Sequence, residues 1–454
     1  MPETFIDIKS LDADARGIGH LENEDGTPGK VVFVEDALPG ERVSYELKKK
    51  KKNWEAGRML TLARATSMRV EPRCQHFGYC GGCSMQHLEP TAQVAMKQRT
   101  LEDNLWHLSK VKAENIMRPM YGPTWGYRFR ARLSVRWVAK KETVLVGFHE
   151  RASALVADIS YCHILPPHLG GMLLPLRELI GALSIYSQVP QIEVAVGEES
   201  TVLVLRILAP LSKKDEGLLR AFADQWNIQW WLQPQGPDTV APFYPVQGDA
   251  NHKALYYTLP EFGVRMPFKP TDFTQVNHQI NRALVHKALA LLEVQPNDRV
   301  ADLFCGLGNF TLPLATQARE VVGIEGSAVL TTRALENAKA NGLSEKTTFY
   351  TRNLFEATAA DLVALGRFDR MLIDPPRDGA IALAEALAEL RESGQAAYLP
   401  RRIVYVSCSP STLARDAGVL VNRAGYVMKK AGVVNMFPHT SHVESIGVFE
   451  LPDA

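Results

Sequence analysis

The pattern of apolar and polar residues divides the chain into three regions, and no segment repeats. Up to about residue 70, the runs 30–34 and 42–47 have the composition of short strands. A turn is predicted between them at 38–41, and 17–19 has the composition of a further turn. Several short strands within so few residues predict a small β-barrel.

The middle region, from about residue 70 to 265, mixes a predicted helix at 92–108 with apolar strands. These strands are predicted at 127–137, 143–148, 192–196 and 202–207. The mixture is typical of an α+β domain.

From about residue 270 onward, helical and strand patterns alternate. A helix is predicted over 277–292, and Ser327 can cap a second helix that ends at Asn341 and Gly342. Apolar strands are predicted at 299–304, 321–325, 370–374 and 402–408. Repeated βα units of this kind form a parallel, doubly wound sheet.

The sequence therefore predicts a multidomain α/β protein. A small OB-like β-barrel is expected over residues 1–68, a central α+β domain over 69–265, and a Rossmann-like domain over 266–454.

Composition and charge narrow the class of protein. The formal net charge is +1, so a nucleic-acid surface must come from local clustering. Such a cluster lies between Arg42 and Arg73, with ten Lys or Arg against three Glu. No apolar run approaches the roughly 18 residues of a membrane span, and the start of the chain lacks the layout of a signal peptide. We expect a cytoplasmic protein without an obligate protein partner, whose six cysteines are reduced and serve as ligands or nucleophiles.

A glycine-containing loop at 302–310 lies where the first strand of the third region turns into a helix. Thr311 stands where the dinucleotide fingerprint would require glycine. Glu325 ends the next strand, where a carboxylate can accept from both hydroxyls of a ribose. Together with Asp374, which precedes two prolines after a later strand, these features predict an S-adenosylmethionine site. Asn353 lies where the third strand should end, in a position to contact the adenine.

Cys408 closes the strand at 402–408 and should face the same crevice as the methyl donor. C5 of uracil is too weakly nucleophilic to take a methyl group unaided, but thiolate addition at C6 makes C5 nucleophilic. A base must then remove the C5 proton so that the thiolate can leave. We predict Cys408 as the nucleophile and Glu444, at the start of the last strand, as the base. The alternatives are a buried structural thiol and a solvated glutamate at a strand end.

Four cysteines have the spacing of a metal site. Cys74, Cys80 and Cys83 are separated by five and two residues, and Cys162 supplies a distant fourth thiolate. Two cysteines separated by two residues occur in zinc and in iron–sulfur sites. A lone distant fourth cysteine favours a [4Fe–4S] cluster, with zinc and unliganded thiols as the alternatives. The cluster is expected to be structural or to bind RNA.

Over nearly its full length the chain resembles the bacterial RNA m5U methyltransferases, and within them the TRAM-containing branch that acts on 23S rRNA. The segments that carry the resemblance are 37–41, the four cysteines, 272–277, 304–310, 374–377 and 407–410. The resemblance implies a TRAM barrel at the start of the chain, a [4Fe–4S] cluster on the cysteines and methylation of uridine at position 1939. Asp378 departs from the family pattern, which has a small residue after Arg377.

The resemblance also implies roles for individual residues. Those expected to surround S-adenosylmethionine are Gln275, Phe304, Asn309, Glu325, Asn353 and Asp374. Cys408 is implied as the nucleophile and Glu444 as the base.

Two segments are candidates for holding the RNA. Residues 48–52 are five consecutive lysines that precede Trp54, and Arg128, Arg130 and Arg132 share one face of a predicted strand. A solvated, flexible loop is the alternative for the lysines. The target uridine must leave its stack to reach Cys408, so a flipped or single-stranded nucleotide is expected.

Other functions stay open at this point. The enzyme could modify a uridine elsewhere in rRNA or in tRNA. The chain could also be a non-catalytic RNA-binding iron–sulfur protein on a degenerate methyltransferase fold. An RNA m5C enzyme is a third possibility, but such enzymes generally carry a second cysteine in the turn that holds Asp374 here.

Overall fold

A computed structural model describes residues 4–23 and 25–452, which form two compact units. The first unit contains the described residues up to Lys97, together with Phe148–Ile159 and Phe437–His442. The second contains Gln98–Gly147, Ser160–Met436 and the described residues from Val443 onward. Among the residues described, no helix combines the length and the apolar character needed to cross a membrane.

The first unit is built on a six-stranded sheet. Its strands are β1 (Phe5–Asp7), β2 (Ser10–Leu11), β3 (Gly17–Glu22), β4 (Pro28–Glu35), β5 (Arg42–Lys50) and β6 (Trp54–Arg64). They are ordered β1-β5-β6-β4-β3-β2, and every pair is antiparallel except β4 with β6. Ile6, Ile8, Val32, Val34 and Val43 form its buried core. The two strands predicted from the sequence lie within β4 and β5.

The turn predicted at 17–19 is wrong, because these residues begin strand β3. Gly17 is needed for close packing rather than for a turn. A Cβ at this position would lie 2.8 Å from a methyl group of Ile8 and 2.9 Å from the carbonyl oxygen of Ala37.

The second unit begins within helix α1 (Pro90–Ser109) and contains a mixed six-stranded sheet, a hairpin and a larger sheet. The six-stranded sheet, in the order β13-β12-β11-β10-β8-β9, and its helices lie between residues 130 and 244. The short strand β7 (Asn115–Ile116) precedes this sheet in the chain and belongs to the larger sheet. The elements of the six-stranded sheet are β8 (Arg130–Val138), β9 (Thr143–Gly147), α2 (Pro167–Gly170), α3 (Leu173–Ala182), β10 (Gln191–Val196), β11 (Thr201–Arg206), α4 (Lys213–Trp226), β12 (Gln229–Gln233) and β13 (Ala241–Tyr244). The hairpin consists of β14 (Tyr256–Leu259) and β15 (Val264–Pro267).

The larger sheet has eight strands and is Rossmann-like. Its elements, apart from β7, are α5 (His278–Leu292), β16 (Arg299–Leu303), α6 (Thr311–Gln317), β17 (Glu320–Glu325), α7 (Ala328–Ala340), β18 (Thr347–Thr351), α8 (Ala359–Leu365), β19 (Arg370–Ile373), α9 (Ile381–Glu392), β20 (Arg402–Ser407), α10 (Pro410–Asn422), β21 (Val427–Val434) and β22 (Glu444–Glu450). The strand order is β18-β17-β16-β19-β20-β22-β21-β7, and β16 to β20 are mutually parallel. Strand β22 runs antiparallel between β20 and β21.

The predicted helix signals in this region are confirmed. The Ser327 side chain accepts from the backbone N–H of Leu330 at 3.4 Å, and Asn277 caps α5 by accepting from Ile280 at 3.2 Å. The parallel strands of this sheet are mostly buried, which is typical of a sheet covered on both faces. The strand order reverses between β16 and β19, and ligands bind at such a switch point in open α/β sheets.

Candidate functional site

The carboxyl ends of β16 to β20 meet at one edge of the large sheet. Because β22 is antiparallel to β20, its first residue lies at that same edge. Ser407 pairs with Ser445, and the Ser445 hydroxyl donates to the Ser407 carbonyl oxygen at 3.3 Å. Cys408 and Glu444, which adjoin this pair on their two strands, are therefore neighbours.

Electrostatic coupling links Cys408 to two carboxyl groups. Burial, with the charges of Glu444 and Asp374, raises the pKa of the Cys408 thiol to about 12, whereas Arg377 acts in the opposite direction. Burial also raises the pKa of Asp374 well above its usual range, and Glu444 adds to that effect. Glu444 is only 4% exposed, so the alternative of a solvated glutamate is wrong. A site with this excess of carboxylates suits a cationic ligand such as a sulfonium.

Helix α10 fixes the turns that carry Asp374 and Cys408. Ser409 caps this helix by accepting from Thr412 at 3.5 Å. The buried carboxylate of Asp416 accepts from the backbone N–H of Ala380 at 2.7 Å and from the hydroxyl of Tyr405 at 2.7 Å. Asp378, where the sequence departs from the family pattern, points into solvent, and its carbonyl accepts from Arg415 at 2.8 Å.

The glycine-containing loop after β16 has a backbone that wraps around Glu325. Phe304, Gly306 and Gly308 all have positive φ values, of 63°, 56° and 94°. The carboxylate of Glu325 accepts from the backbone N–H of Gly306 at 3.1 Å and from that of Ser327 at 2.9 Å. The structure thereby fixes the carboxylate at the end of β17 against the loop.

Asn309 is held by two residues that have no predicted role. Tyr257 donates its hydroxyl to Oδ1 of Asn309 at 2.8 Å, and Asn281 exchanges two hydrogen bonds with the Asn309 amide at 2.9 and 3.0 Å. Asn281 lies on α5, about one helical turn after its N-cap Asn277. Tyr257 lies on β14, and no sequence signal connects that strand with the loop.

Phe304 and Asn353 both contact a further aromatic residue, Phe355. The Phe304 and Phe355 ring centroids are 5.7 Å apart, and Oδ1 of Asn353 accepts from the Phe355 backbone N–H at 3.1 Å. Phe355 is 48% exposed, and its position after the third strand was the signal that could have identified it.

Gln275 lies in a segment that is anchored at Asp272. The Asp272 carboxylate accepts from Arg333 of α7 at 3.0 Å and from the backbone N–H of Lys269 at 2.7 Å. Gln275 itself is half-buried, and the segment leads directly into the cap of α5.

Asp302 is a buried carboxyl group beneath the loop that also had no predicted role. Thr311 donates its hydroxyl to Asp302 at 2.5 Å, and burial raises the Asp302 pKa to about 7. An aspartate flanked by the apolar residues Ala301 and Leu303 was the sequence signal.

The cysteine loop of the first unit contains Cys74, Cys80 and Cys83, whereas Cys162 belongs to the second unit. Within residues 4–23 and 25–452, no three His, Cys, Asp or Glu side chains have the arrangement of a metal site. The backbone N–H of Gly82 donates to Sγ of Cys80 at 3.5 Å, and a Cβ at Gly82 would lie 3.6 Å from this sulfur. Burial raises the pKa of Cys80, and the neighbouring charge of Cys74 raises it further.

Two of the three arginines predicted to hold phosphates have partners within the second unit. Arg130 donates to the carbonyl oxygens of Pro270, at 2.7 Å, and Asp272. Arg132 donates to the carboxylate of Glu193 at 3.0 and 3.2 Å. Both guanidinium groups therefore serve contacts within the second unit.

The five lysines at 48–52 are not a single flexible loop, because strand β5 continues to Lys50. Lys48 pairs with Glu46 at 2.6 Å and Lys50 with Glu55 at 3.4 Å. Lys51 and Lys52 lie exposed between β5 and β6.

Comparison with known proteins shows which family the chain is similar to. A family model described as tRNA (Uracil-5-)-methyltransferase matches residues 261–451. A protein of Cupriavidus metallidurans named 23S rRNA (uracil(1939)-C(5))-methyltransferase RlmD is 66% identical over 448 residues, which cover 99% of this chain and 95% of the relative. A protein of the same name from Cupriavidus pinatubonensis is 67% identical, and the match covers 99% of this chain and 96% of that relative. A Ralstonia pickettii protein of the same name is 64% identical, covering 98% of each chain.

A solved structure shares the fold over almost the whole chain. It is Pyrococcus abyssi tRNA (uracil-54, C5)-methyltransferase in complex with S-adenosyl-L-homocysteine, with a TM-score of 0.72 and 22% identity. The match covers 98% of this chain and 100% of that one.

Proposed function

Because the chain belongs to the RNA (uracil-5-)-methyltransferase family, we propose that it methylates C5 of a uridine in 23S rRNA, with S-adenosylmethionine as the methyl donor. The family resemblance predicted from the sequence motifs is confirmed. The relatives described above are named for uracil 1939, and we propose the same position as the target here.

The observation that carries the proposal is the juxtaposition of Cys408 and Glu444 at the carboxyl edge of the large sheet. The reaction requires a thiol that can reach C6 of the uracil and a base that can reach C5. The paired Ser407 and Ser445 bring two such groups together beside Asp374. A solely structural thiol would not require two carboxyl groups next to it.

In the proposed reaction, S-adenosylmethionine supplies an electrophilic methyl group when bound. Sγ of Cys408 adds as a thiolate to C6 of the uracil, and the electron pair of the C5–C6 double bond moves to give an enolate. C5 then forms a bond to the methyl carbon as the bond from that carbon to the donor sulfur breaks. Glu444 takes the proton from C5, and the double bond re-forms as Sγ leaves C6.

The residues proposed to surround the donor are Gln275, Phe304, Asn309, Glu325, Asn353 and Asp374. Support comes from the fixed orientation of Glu325, whose carboxylate stands at the end of the second strand of a Rossmann-like sheet, where ribose hydroxyls bind. The network that holds the Asn309 amide and the aromatic pair of Phe304 and Phe355 also supports this placement.

We propose that Cys74, Cys80, Cys83 and Cys162 hold a [4Fe–4S] cluster, which would be structural or would bind RNA. Anaerobically purified protein should then contain close to four irons and four sulfides per chain. Cys162→Ser should lose the iron as completely as Cys80→Ser, whereas the buried Cys305→Ala should retain it. Stoichiometric zinc without sulfide would assign the same cysteines to a zinc site instead.

The remaining predictions concern the domain boundaries, the cellular location and the protein partners. We propose that residues 1–68 form a TRAM-like RNA-binding domain, that 69–265 form the iron–sulfur domain and that 266–454 form the methyltransferase domain. The cytoplasmic location and the absence of an obligate protein partner also stay predictions.

The test of the proposed function uses RNA in which the target uridine carries fluorine at C5. Fluorine cannot leave as a proton, so the covalent complex should persist on a denaturing gel in the presence of S-adenosylmethionine. Cys408→Ala should give no complex, because the thiol that adds to C6 is absent. A complex with tRNA but not with the 23S rRNA fragment would refute the proposed substrate.

A further inference from the structure

The chain that joins β21 to β22 leads directly into Glu444. Its residues Phe437–His442, which we call the connecting segment, belong to the first unit, and Val443 alone separates them from Glu444. Because Glu444 is the first residue of β22, the sheet holds it on its C-terminal side and the connecting segment holds it on the other. The direction of the Glu444 carboxylate therefore depends in part on how this segment is fixed.

His439 is the residue at which the connecting segment is fixed. It is buried and has a φ of 64°, a left-handed conformation that residues other than glycine adopt only where their surroundings maintain it. Its carbonyl oxygen accepts from the backbone N–H groups of Ser84, at 2.9 Å, and Met85, at 3.0 Å. The Ser84 hydroxyl accepts in turn from the backbone N–H of Ser441 at 3.1 Å. The backbone of the segment is thereby bonded to residues 84 and 85.

Gln93 of helix α1 joins the two sides of this contact through its side-chain amide. Its Oε1 accepts from the backbone N–H of His439 at 2.8 Å. Its Nε2 donates to the carbonyl oxygens of Met85, at 2.9 Å, and Leu88, at 2.7 Å. Gln93 is only 1% exposed, so water cannot replace these bonds, and a buried group that loses its partner costs more than the bond itself. Without this amide, the buried His439 N–H would lose its acceptor.

Lys97 is a second polar group of α1 that holds the connecting segment. It lies four residues after Gln93, on the same face of the helix, and its Nζ donates to the carbonyl oxygen of Phe437 at 2.8 Å. Lysine is rarely buried, yet Lys97 is almost inaccessible to solvent. Polar contacts of this kind have directional geometry and specify one arrangement, whereas apolar packing alone tolerates several. Helix α1 therefore fixes the connecting segment at two points.

We propose that Gln93 is a positioning residue for the removal of the C5 proton. It holds His439, and through the connecting segment it orients the carboxylate of Glu444 toward C5 of the uracil. The inference rests on the proposed function, because it takes Glu444 to be the base. Glu444 acts after thiolate addition and methyl transfer, so these earlier steps do not depend on Gln93.

The test measures each step separately in Gln93→Leu, which keeps the approximate size of the side chain and removes its hydrogen bonds. The Kd for S-adenosylhomocysteine and the rate of covalent complex formation with 5-fluorouridine RNA should stay unchanged. Release of the methylated product from ordinary uridine should slow at least about tenfold, because a displacement of about 1 Å can cost about a hundredfold in rate. A methylated complex that resists denaturation should therefore accumulate.

A double variant separates positioning from general damage to the fold. Glu444→Gln already lacks the base, so adding Gln93→Leu should slow product release no further. Asn104→Leu is the matched control, because it removes an amide of α1 that donates to Thr100 of the same helix at 2.8 Å, and it should leave all three measurements unchanged.

A milder variant covers the case in which Gln93→Leu fails to fold. Ser84→Ala removes one hydrogen bond of the connecting segment and should slow the same step, to a smaller extent, with the earlier steps unchanged. Product release at the unmodified rate, an equal loss in all three measurements, or further slowing in the double variant would overturn the proposal.

The proposed function can fail separately. An unmodified enzyme that forms 5-methyluridine, together with a Gln93→Leu variant that releases product normally, contradicts only the role of Gln93. Normal release from Glu444→Gln refutes the assignment of the base and the role of Gln93 with it. An enzyme that forms no 5-methyluridine in any RNA contradicts the proposed function itself.

Discussion

The hydroxyl of Tyr257 donates a hydrogen bond to Oδ1 of Asn309 at 2.8 Å, so that a hairpin residue sets the orientation of a side chain in the glycine-containing loop. Tyr257 is 3% exposed, and Asn281 completes the network by exchanging two hydrogen bonds with the Asn309 amide. Because Oδ1 of Asn309 accepts two hydrogen bonds, the Asn309 amide has one defined orientation. We propose that the remaining N–H of this amide contacts the methyl donor.

Tyr257→Phe should therefore weaken donor binding without abolishing it. One neutral hydrogen bond contributes about 0.5–1.5 kcal/mol, which corresponds to an increase of roughly two- to tenfold in the Kd for S-adenosylhomocysteine. Calorimetry with purified protein measures this change. Tyr256→Phe is the matched control, because its ring stacks under Arg265 and should leave Kd unchanged. Equal affinity in Tyr257→Phe would mean that Asn309 does not contact the donor.

The ionisation of Cys408 should depend on the charge of the bound ligand. Its thiol has a pKa of about 12 because burial and two carboxyl groups disfavour the thiolate. Below that pKa the thiolate fraction rises about tenfold per pH unit, so alkylation of Cys408 should accelerate from pH 7 to 10 without a plateau. S-adenosylmethionine carries a positive sulfonium that favours the thiolate, so the rate at pH 8 should be higher with this ligand than with S-adenosylhomocysteine, which is neutral at sulfur.

Mass spectrometry of the Cys408 peptide follows this alkylation separately from that of the other cysteines. S-adenosylmethionine and S-adenosylhomocysteine are nearly equal in size, so both should shield Cys408 from the alkylating reagent to the same extent. Arg377→Ala should slow alkylation, because the Arg377 charge lowers the thiol pKa. A plateau below pH 9 in the ligand-free enzyme would show that the thiolate is already stabilised there.

Lys51 and Lys52 should contribute more to RNA binding than the neighbouring lysines. Lys48 and Lys50 are paired with Glu46 and Glu55, whereas the segment 51–52 is exposed between two strands. Replacing both Lys51 and Lys52 by Ala should reduce the slope of log K against log salt by roughly 1.5, since each phosphate contact contributes about 0.7–0.9. The double variant of Lys48 and Lys50 is the control and should change the slope less. Equal slopes would leave all four lysines outside the RNA interface.

The Rossmann-like sheet could be predicted because its signals are local. Buried strands appear as apolar runs, and Asn277 and Ser327 mark helix starts with side chains that bond to the backbone three residues later. The edge position of Cys408 follows from the same rule, since every parallel strand ends at the same side of the sheet.

The contacts that the sequence could not predict are those between distant segments. The composition around Gly17 predicts a turn, because nothing nearby in the sequence indicates that Ile8 and Ala37 crowd its Cα. Arg130 alternates with Arg128 and Arg132 as phosphate-binding arginines on a strand could, but its guanidinium donates to carbonyl oxygens about 140 residues away. The dependence of Asn309 on Tyr257 is of the same kind, because side-chain partners are set by tertiary packing and not by local composition.

Glu444 is the residue whose substitution gives the most informative outcome. It follows the loop residue Val443, begins β22 and is almost fully buried beside Cys408. If it removes the C5 proton, it acts after both thiolate addition and methyl transfer. Glu444→Gln keeps the shape and the polarity of the side chain but removes its basicity.

Glu444→Gln should therefore attach to RNA through Cys408, transfer the methyl group and then stall. A methylated, denaturation-resistant complex should accumulate on ordinary uridine, and product release should slow at least about a hundredfold, the lower range for loss of a general base. Glu450→Gln, at the other end of the same strand, should turn over normally. Free product at the unmodified rate would show that water or another group takes the proton. Loss of the complex would instead place Glu444 before the chemistry, in holding the uracil or the fold of the site.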